Sequence, residues 1–485
     1  MKSVLLYTAA LCLCFLQPTE ATTFQDFFGS RFSPQKSAPV VQAPKIAVDS
    51  IHRWNQIAID ASGLDHTPGT PAFGSQLGPG RASRAMAIVH IAIFDSVNAV
   101  LGGYQSYTGI QSVKPPVSLD AAVAQAAHDT LSALYPVQAP SFDAALAIDL
   151  GKIANKNERA NGVSLGQRAA AAILALRTND GSQTAEPHWA VDYFANSDPG
   201  VWQMDPISLI ATALGAHWGE CTPFVMQSGS QFRAPPPPSM NSPEYTAAYN
   251  EAKAFGGDGV HTPSARTPDQ SFIGIFWAYD GTPSLCAPPR LYNQITVHIA
   301  DQMHLSTADL ARLLALVNTS MADAGIAIWE SKYYYQFWRP IGGIPGADLD
   351  GNPGTISDPN FVPMGAPASN LTGPNFTPPF PSYPSGHGGF GGALFQTMRR
   401  FFGTDNITFT FVSDEFNGVT KDNAGNARPY MPRSFANLSQ AEEENGQSRI
   451  YLGIHWSFDK TQAIAQGRNV ANYVFDHAFL PVSKK

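Results

Sequence analysis

Three short stretches in the last third of the chain carry residue types that together could hold an oxyanion and move a proton. The first runs from Trp329 through Lys332, Tyr333, Tyr334 and Tyr335 to Arg339 and Pro340. Lys332 and Arg339 are seven residues apart, about two helical turns, so a continuous helix puts both cations on one face. Pro340 would limit that helix near Arg339. Two cations on one face amid aromatic side chains want an anion; a solvated charge pair is the plainer alternative. The second stretch is Phe380, Pro381, Ser382, Tyr383, Pro384, Ser385, Gly386 and His387. Ser385 is a favoured N-cap residue for the helix that follows. The free N–H groups of a helix start, with its dipole, make an oxyanion site. Gly386 lets backbone approach a ligand closely, and His387 can carry a proton near neutral pH. An ordinary capped helix with a surface histidine fits these residues equally well.

The third stretch runs from Ser448 and Arg449 to His455 and Asp459. On a helix His455 and Asp459, four apart, are within mutual reach. A carboxylate on one imidazole nitrogen fixes the tautomer and leaves the other as a nucleophile or metal ligand. Arg449 would point roughly 120° away from His455 on an ideal helix, so it sits at the helix start or reaches round. A structural His–Asp pair is the bland reading. Taken together, two Arg, one Lys, two His, a Ser and a helix N-terminus match a tetrahedral or trigonal-bipyramidal oxyanion such as phosphate or vanadate.

These residues must be positioned mostly by helices. Residues 83–100, 121–134, 167–177, 244–255, 289–304, 306–335, 386–402 and 448–476 read as helices from their apolar spacing. Residues 271–280 fit helix or strand by period alone. Residues 342–384 form a long Pro/Gly/Asn-rich connection, of a kind that is usually functional or mobile; residues 403–445 read as polar and loop-like. The expected class is therefore all-α, two packed helical bundles with long loops and little strand. The expected division is a signal peptide at 1–21, an irregular segment at 22–80, an N-terminal bundle at 81–260 and a C-terminal bundle at 261–485 that carries the site.

The signal peptide rests on Lys2, an apolar run over residues 4–16, and small residues at Thr19 and Ala21 before a cleavage point. It predicts a secreted or periplasmic protein. No later uninterrupted apolar run reaches the ~20 residues of a membrane span. The mature chain keeps Cys221 and Cys286, which could pair or stay as buried thiols. Glycosylation sequons stand at Asn318, Asn370, Asn375, Asn406 and Asn437. With 30 Lys+Arg against 38 Asp+Glu, the net charge of −8 argues against a nucleic-acid binder. Only 14% of residues are charged, while Gly numbers 41 and Pro 39, spread along the chain, which implies many loops and excludes a collagen-like repeat.

The order K-x6-R-P, P-S-G-H and S-R-x5-H-x3-D, unbroken here from Lys332 to Asp459, resembles the superfamily joining type-2 phosphatidic acid phosphatases and vanadium-dependent haloperoxidases. The resemblance implies that Lys332, Arg339, Ser385, Gly386, His387 and Arg449 hold a vanadate cofactor. His455 would bond the vanadium, His387 would act as acid–base residue, and Asp459 would orient His455. Trp329 and Phe380 match positions that border the halide site in fungal-type chloroperoxidases, although plain core packing explains either one alone. Asp280, in the segment Phe276-Trp-Ala-Tyr-Asp280-Gly, matches an Asp that pairs with a vanadate-binding Arg, here Arg449. The implied reaction takes hydrogen peroxide and a halide, bromide or chloride, to hypohalous acid. Lys332 would polarise the peroxide oxygen that the halide attacks. The organic acceptor, the halide preference and the oligomeric state stay open. An exported acid phosphatase with a phosphohistidine at His455 is the runner-up; a non-catalytic oxyanion carrier is a third reading.

Overall fold

Long helices with unbroken apolar faces dictate the architecture. The computed structural model describes residues 23–35 and 49–482, so the expected signal peptide lies outside the described residues. In chain order the elements are α1 (Phe24–Phe28), β1 (Ser33–Pro34), α2 (Ser50–Asp65), α3 (Gly78–Leu101), α4 (Leu119–Leu134), α5 (Ala139–Gly151), α6 (Lys156–Leu176) and α7 (Pro243–Gly256). There follow α8 (Pro268–Phe276), α9 (Pro288–Gln302), α10 (Thr307–Tyr335), α11 (Pro340–Gly343), β2 (Leu371–Thr372), α12 (Gly386–Phe402), β3 (Phe409–Asn417), β4 (Tyr430–Phe435), α13 (Leu438–Tyr451) and α14 (Ser457–His477). The class is all-α, as expected. The strands form two small antiparallel pairs, β1 with β2 and β3 with β4.

Helices α3, α4 and α6 pack as one bundle, and α10, α12 and α14 as another, with α3 laid along α10. One apolar cluster runs from Phe27 to Phe479 across both, so the core has no break at residues 260–261, where the sequence suggests a boundary. Both α3 and α10 are long and apolar enough to cross a membrane, but their apolar windows are 89% and 100% buried. They are core helices. Cys221 and Cys286 are separate buried thiols. Asn318 and Asn370, in two of the sequons, are buried and inaccessible to a glycan in the folded chain.

Two expectations are corrected. Among the described residues, 22–80 are not mostly irregular: α1, α2, β1 and the start of α3 take up more than half of them, α2 alone sixteen. Asp49 caps its first turn by accepting the His52 N–H at 3.0 Å, and Ile51, Trp54, Ala58 and Ile59 recur on a buried face. Nor are residues 403–445 a loop. Phe409 and Phe411 alternate with exposed Thr410 and partly covered Val412 to build β3, a period-2 pattern masked by its polar surroundings.

The glycines of α12 are explained by contact. A Cβ on Gly467 of α14 would lie 2.0 Å from the Gly389 carbonyl oxygen, and one on Gly389 would lie 2.3 Å from Ile328 Cδ1. Each Gly costs a helix roughly 1 kcal/mol of propensity; close packing of α12 between α10 and α14 offsets that. Gly467→Ala should force these helices apart and cost about 1–3 kcal/mol, read as a lower midpoint in chemical denaturation.

Candidate active site: a buried cationic cradle

Helix α10 delivers the first cation. Lys332, in its last turn, is fully buried, and its Nζ donates to the carbonyls of Pro381 and Ser382, both at 2.8 Å. An ammonium has three donors, so one remains for another acceptor. Burial, reinforced by Arg339, holds this amine well below the usual lysine range. The expected two-turn helix joining Lys332 to Arg339 does not exist. Gln336 takes a left-handed conformation, φ 49°, and stops α10; Arg339 instead caps α11. The two cations still meet, because the chain doubles back. Arg339 donates through Nε to the Phe380 carbonyl at 2.9 Å and through Nη1 to that of Ile454 at 2.8 Å.

Helix α12 starts where the sequence places it. Ser385 is its N-cap and accepts the Gly388 N–H at 3.4 Å; its own N–H donates to the Asp459 carbonyl at 3.1 Å. The first N–H groups of Gly386 and His387 have no intrahelical partner by construction. His387 Nε2 stands 2.6 Å from the Ala278 carbonyl oxygen. Only a protonated Nε2 can make that bond, so Nδ1 is the nitrogen left to exchange a proton. Burial and the Arg449 charge hold the ring well below the usual histidine range, against the pull of the Ala278 carbonyl.

His455 and Asp459 do meet, but not along one helix. Gly453, with φ 71°, ends the backbone path of α13, and α14 begins only after Trp456. His455 thus lies in the turn between them. Asp459 is the third residue of α14 and accepts the Trp456 N–H at 3.1 Å, His455 Nδ1 at 2.8 Å, and the Ser382 hydroxyl. His455 Nε2 is left unprotonated, 3.4 Å from Arg339 Nη1. Burial with Arg339, Lys332 and Arg449 nearby keeps that ring neutral, well below its ordinary range. Burial pushes the Asp459 carboxyl up to about 7, opposed by the Ser382 and Trp456 hydrogen bonds. Arg449, in the last turn of α13, binds Asp280 through Nη2 at 2.6 Å, the pair expected from the sequence. Burial raises the Asp280 carboxyl, against the Arg449 charge.

Trp329 and Phe380 touch at 4.9 Å between ring centres, and Lys332 Nζ lies 5.1 Å from the Phe380 ring. Both rings line a narrow cavity with Gly386, His387, Arg449 and His455. Its outer wall is apolar and includes Phe27 and Phe28 of α1, Leu214 and Phe376. Sequence reasoning missed this wall, the Ser382 hydroxyl and the Ala278 carbonyl. Ser382 lies inside the second motif and Ala278 inside the Phe276–Gly281 segment that carries Asp280; nothing in the sequence marked the wall.

The donors match an oxyanion. Arg339 Nη2 and both Nε and Nη1 of Arg449 are buried without a partner, a costly arrangement unless an acceptor sits among them. Among the described residues no group of three His, Cys, Asp or Glu could hold a bare metal cation. A metal that enters as an oxyanion fits; a free divalent ion does not.

Comparison with known proteins settles the family. The VCPO second helical-bundle domain matches residues 312–483. Vanadium chloroperoxidase from Curvularia inaequalis is 31% identical over 494 residues, covering 84% of this chain and 79% of that protein. The chain belongs to the vanadium-dependent haloperoxidase family. Its fold matches a bacterial vanadium-dependent iodoperoxidase at a TM-score of 0.71 and 23% identity, over 92% of this chain and 100% of that one. A holo-type bacterial vanadium-dependent chloroperoxidase matches at 0.62 and 16%, over 89% and 98%.

Arg449→Ala should strand Asp280 in the interior and cost about 3–5 kcal/mol. Saturating phosphate, at 100 times its Kd, should stabilise the wild type by about 2.7 kcal/mol and the variant far less. Thermal melts with and without phosphate read both effects.

Proposed function

We propose that this enzyme is an exported haloperoxidase that uses vanadate and hydrogen peroxide to oxidise bromide or chloride to hypohalous acid. The unpartnered buried guanidinium donors of Arg339 and Arg449, in a site where Arg339 Nη1 stands 3.4 Å from the neutral Nε2 of His455, carry this reading. Lys332, Arg339, Ser385, Gly386, His387 and Arg449 would hold the oxyanion's oxygens, and His455 would ligate vanadium. Vanadate, when bound, supplies a Lewis acid that lets peroxide oxidise halide while the metal stays pentavalent.

The remaining contributions belong to the chain. Lys332, Arg339 and Arg449 neutralise the anion in a water-poor site, where fixed charges act strongly. Lys332, with one N–H beyond its two carbonyl acceptors, would polarise a peroxide oxygen. Asp459 holds the His455 proton on Nδ1, which preserves the Nε2 lone pair. His387 Nδ1 takes up and returns a proton. Trp329 and Phe380 border the halide, and the narrow apolar cavity keeps bulk water out.

Export rests on the basic start at Lys2, the apolar run and the small residues before Thr22. Mass spectrometry of the secreted or periplasmic protein should find Thr22 at its N-terminus. The second reading is an acid phosphatase, because the same cradle suits phosphate: His455 would form a phosphohistidine and His387 would protonate the leaving alcohol.

The deciding measurement is bromination of a diketone dye by vanadate-loaded protein with peroxide and bromide, against phosphate-ester hydrolysis by vanadate-free protein. Vanadate-dependent bromination inhibited by phosphate is expected. Ester hydrolysis without bromination establishes the phosphatase. His455→Ala should lose vanadate and halogenation together; full activity there refutes the site. Lys332→Ala should bind vanadate with a smaller loss while kcat drops about 100-fold or more.

A further inference from the structure

The hairpin that sequence reading passed over reaches the site by a second route. Strands β3 and β4 pair regularly from Phe409–Phe435 to Val412–Pro432, then resume at Asn417–Tyr430. Residues 413–416 therefore face a single residue, Met431, on the other strand. Such a bulge frees backbone and side-chain groups from the ladder to bind something else. Here they bind the turn after α8. Ser413 Oγ donates to the Phe276 carbonyl at 2.6 Å. The Asp414 N–H donates to the Tyr279 hydroxyl at 2.6 Å. Glu415 Oε1 accepts the Tyr279 N–H at 3.2 Å.

That turn is strained and consequential. Tyr279 has φ 44°, a conformation that costs a non-glycine residue on the order of 1 kcal/mol and persists only where neighbours impose it. On one side of it the Ala278 carbonyl holds His387; on the other, Asp280 holds Arg449. Glu415 is itself fully buried and fixed from behind, its Oε2 accepting the Ser369 hydroxyl and Arg428 Nη1, both at 2.6 Å.

We propose that Glu415 is a positioning residue for the oxyanion site: from the β3 bulge it imposes the Tyr279 conformation that aims Ala278 at His387 and Asp280 at Arg449. This rests on the site reading given under Proposed function. Removing Glu415's charge leaves every cradle residue in the sequence but lets two of them lose their aim, as supporting hydrogen-bond partners of metal sites commonly do at a cost of about 10- to 100-fold.

The test uses the full, vanadate-free chain and inorganic vanadate in titration calorimetry, with bromination kinetics and thermal melts alongside. Glu415→Gln should bind vanadate about tenfold more weakly and lower kcat while KM for bromide holds. Glu415→Asp, which keeps the charge, should recover part of both. Phe409→Ala, on the regular part of the same hairpin against Phe435, should lower the melting temperature and leave vanadate affinity intact. Wild-type affinity and kcat in Glu415→Gln overturn the proposal, and so does a Phe409→Ala affinity loss in step with its melting temperature. Should Glu415→Gln not fold, Ser369→Ala, which removes one of the two groups that fix Glu415 Oε2, carries the test, and unchanged affinity there overturns it too. A wild-type chain that binds no vanadate overturns the site reading itself and this inference with it; wild-type binding with an unaffected Glu415→Gln overturns the clamp alone.

Discussion

Three cations, Lys332, Arg339 and Arg449, are buried together, with Asp280 paired to Arg449 and Asp459 acting on Lys332 and Arg339. Buried charge is costly unless paired and hydrogen-bonded, and that cost shapes everything nearby. The long connection before α12 serves this need. Three successive carbonyls, of Phe380, Pro381 and Ser382, turn onto Arg339 and Lys332. Pro381 has no N–H of its own, so the segment presents more acceptors than donors. The carbonyl of Ile454 completes the set. What is left over, three unpartnered guanidinium nitrogens, is the specificity of the site for an anion.

The same electrostatics explains the state of the histidines. A cationic, dry surrounding keeps His455 and His387 neutral. It is also the surrounding in which neutral imidazoles keep lone pairs available for bonding and proton exchange. Asp459 and Ala278 then decide which nitrogen carries the hydrogen in each ring. The cradle is assembled from the ends of helices rather than their middles: the end of α10, the start of α12, the end of α13 and the turn into α14. Helix ends are where backbone donors and acceptors are unspent, and the glycine-mediated packing of α12 against α10 and α14 brings them together.

Much of this was legible in the residues. The start of α12 at Ser385 and the convergence of the three motifs follow from residue types and spacing; the Asp280–Arg449 pair follows from the family resemblance. The paths of the chain were less legible. Lys332–Arg339 and His455–Asp459 both have helical spacing, yet each pair straddles a helix end, because Gln336 and Gly453 adopt positive φ, which no periodicity encodes. The α2 helix hid behind the Pro/Gly cluster that follows it. The β3–β4 hairpin hid in a polar stretch with only two alternating phenylalanines. The long-range partners, Ser382 for Asp459, Ala278 for His387 and Glu415 for Tyr279, are backbone groups or single polar residues whose meaning exists only in three dimensions.

The composition of the cavity wall bears on how long such a catalyst survives. Thioethers and thiolates are the side chains most readily consumed by an electrophilic oxidant. The residues that line the cavity include no Met, Cys or Tyr; apart from the Trp329 indole, Phe, Pro, Leu and Ile supply its apolar surface. The two described cysteines are elsewhere, buried, with burial pushing the Cys221 thiol up to about 12 and the Cys286 thiol up to about 11. They remain protonated and slow to react. A hypohalous acid leaving the cradle would cross a surface chemically prepared to let it pass, and Trp329 is where wear on the enzyme would begin.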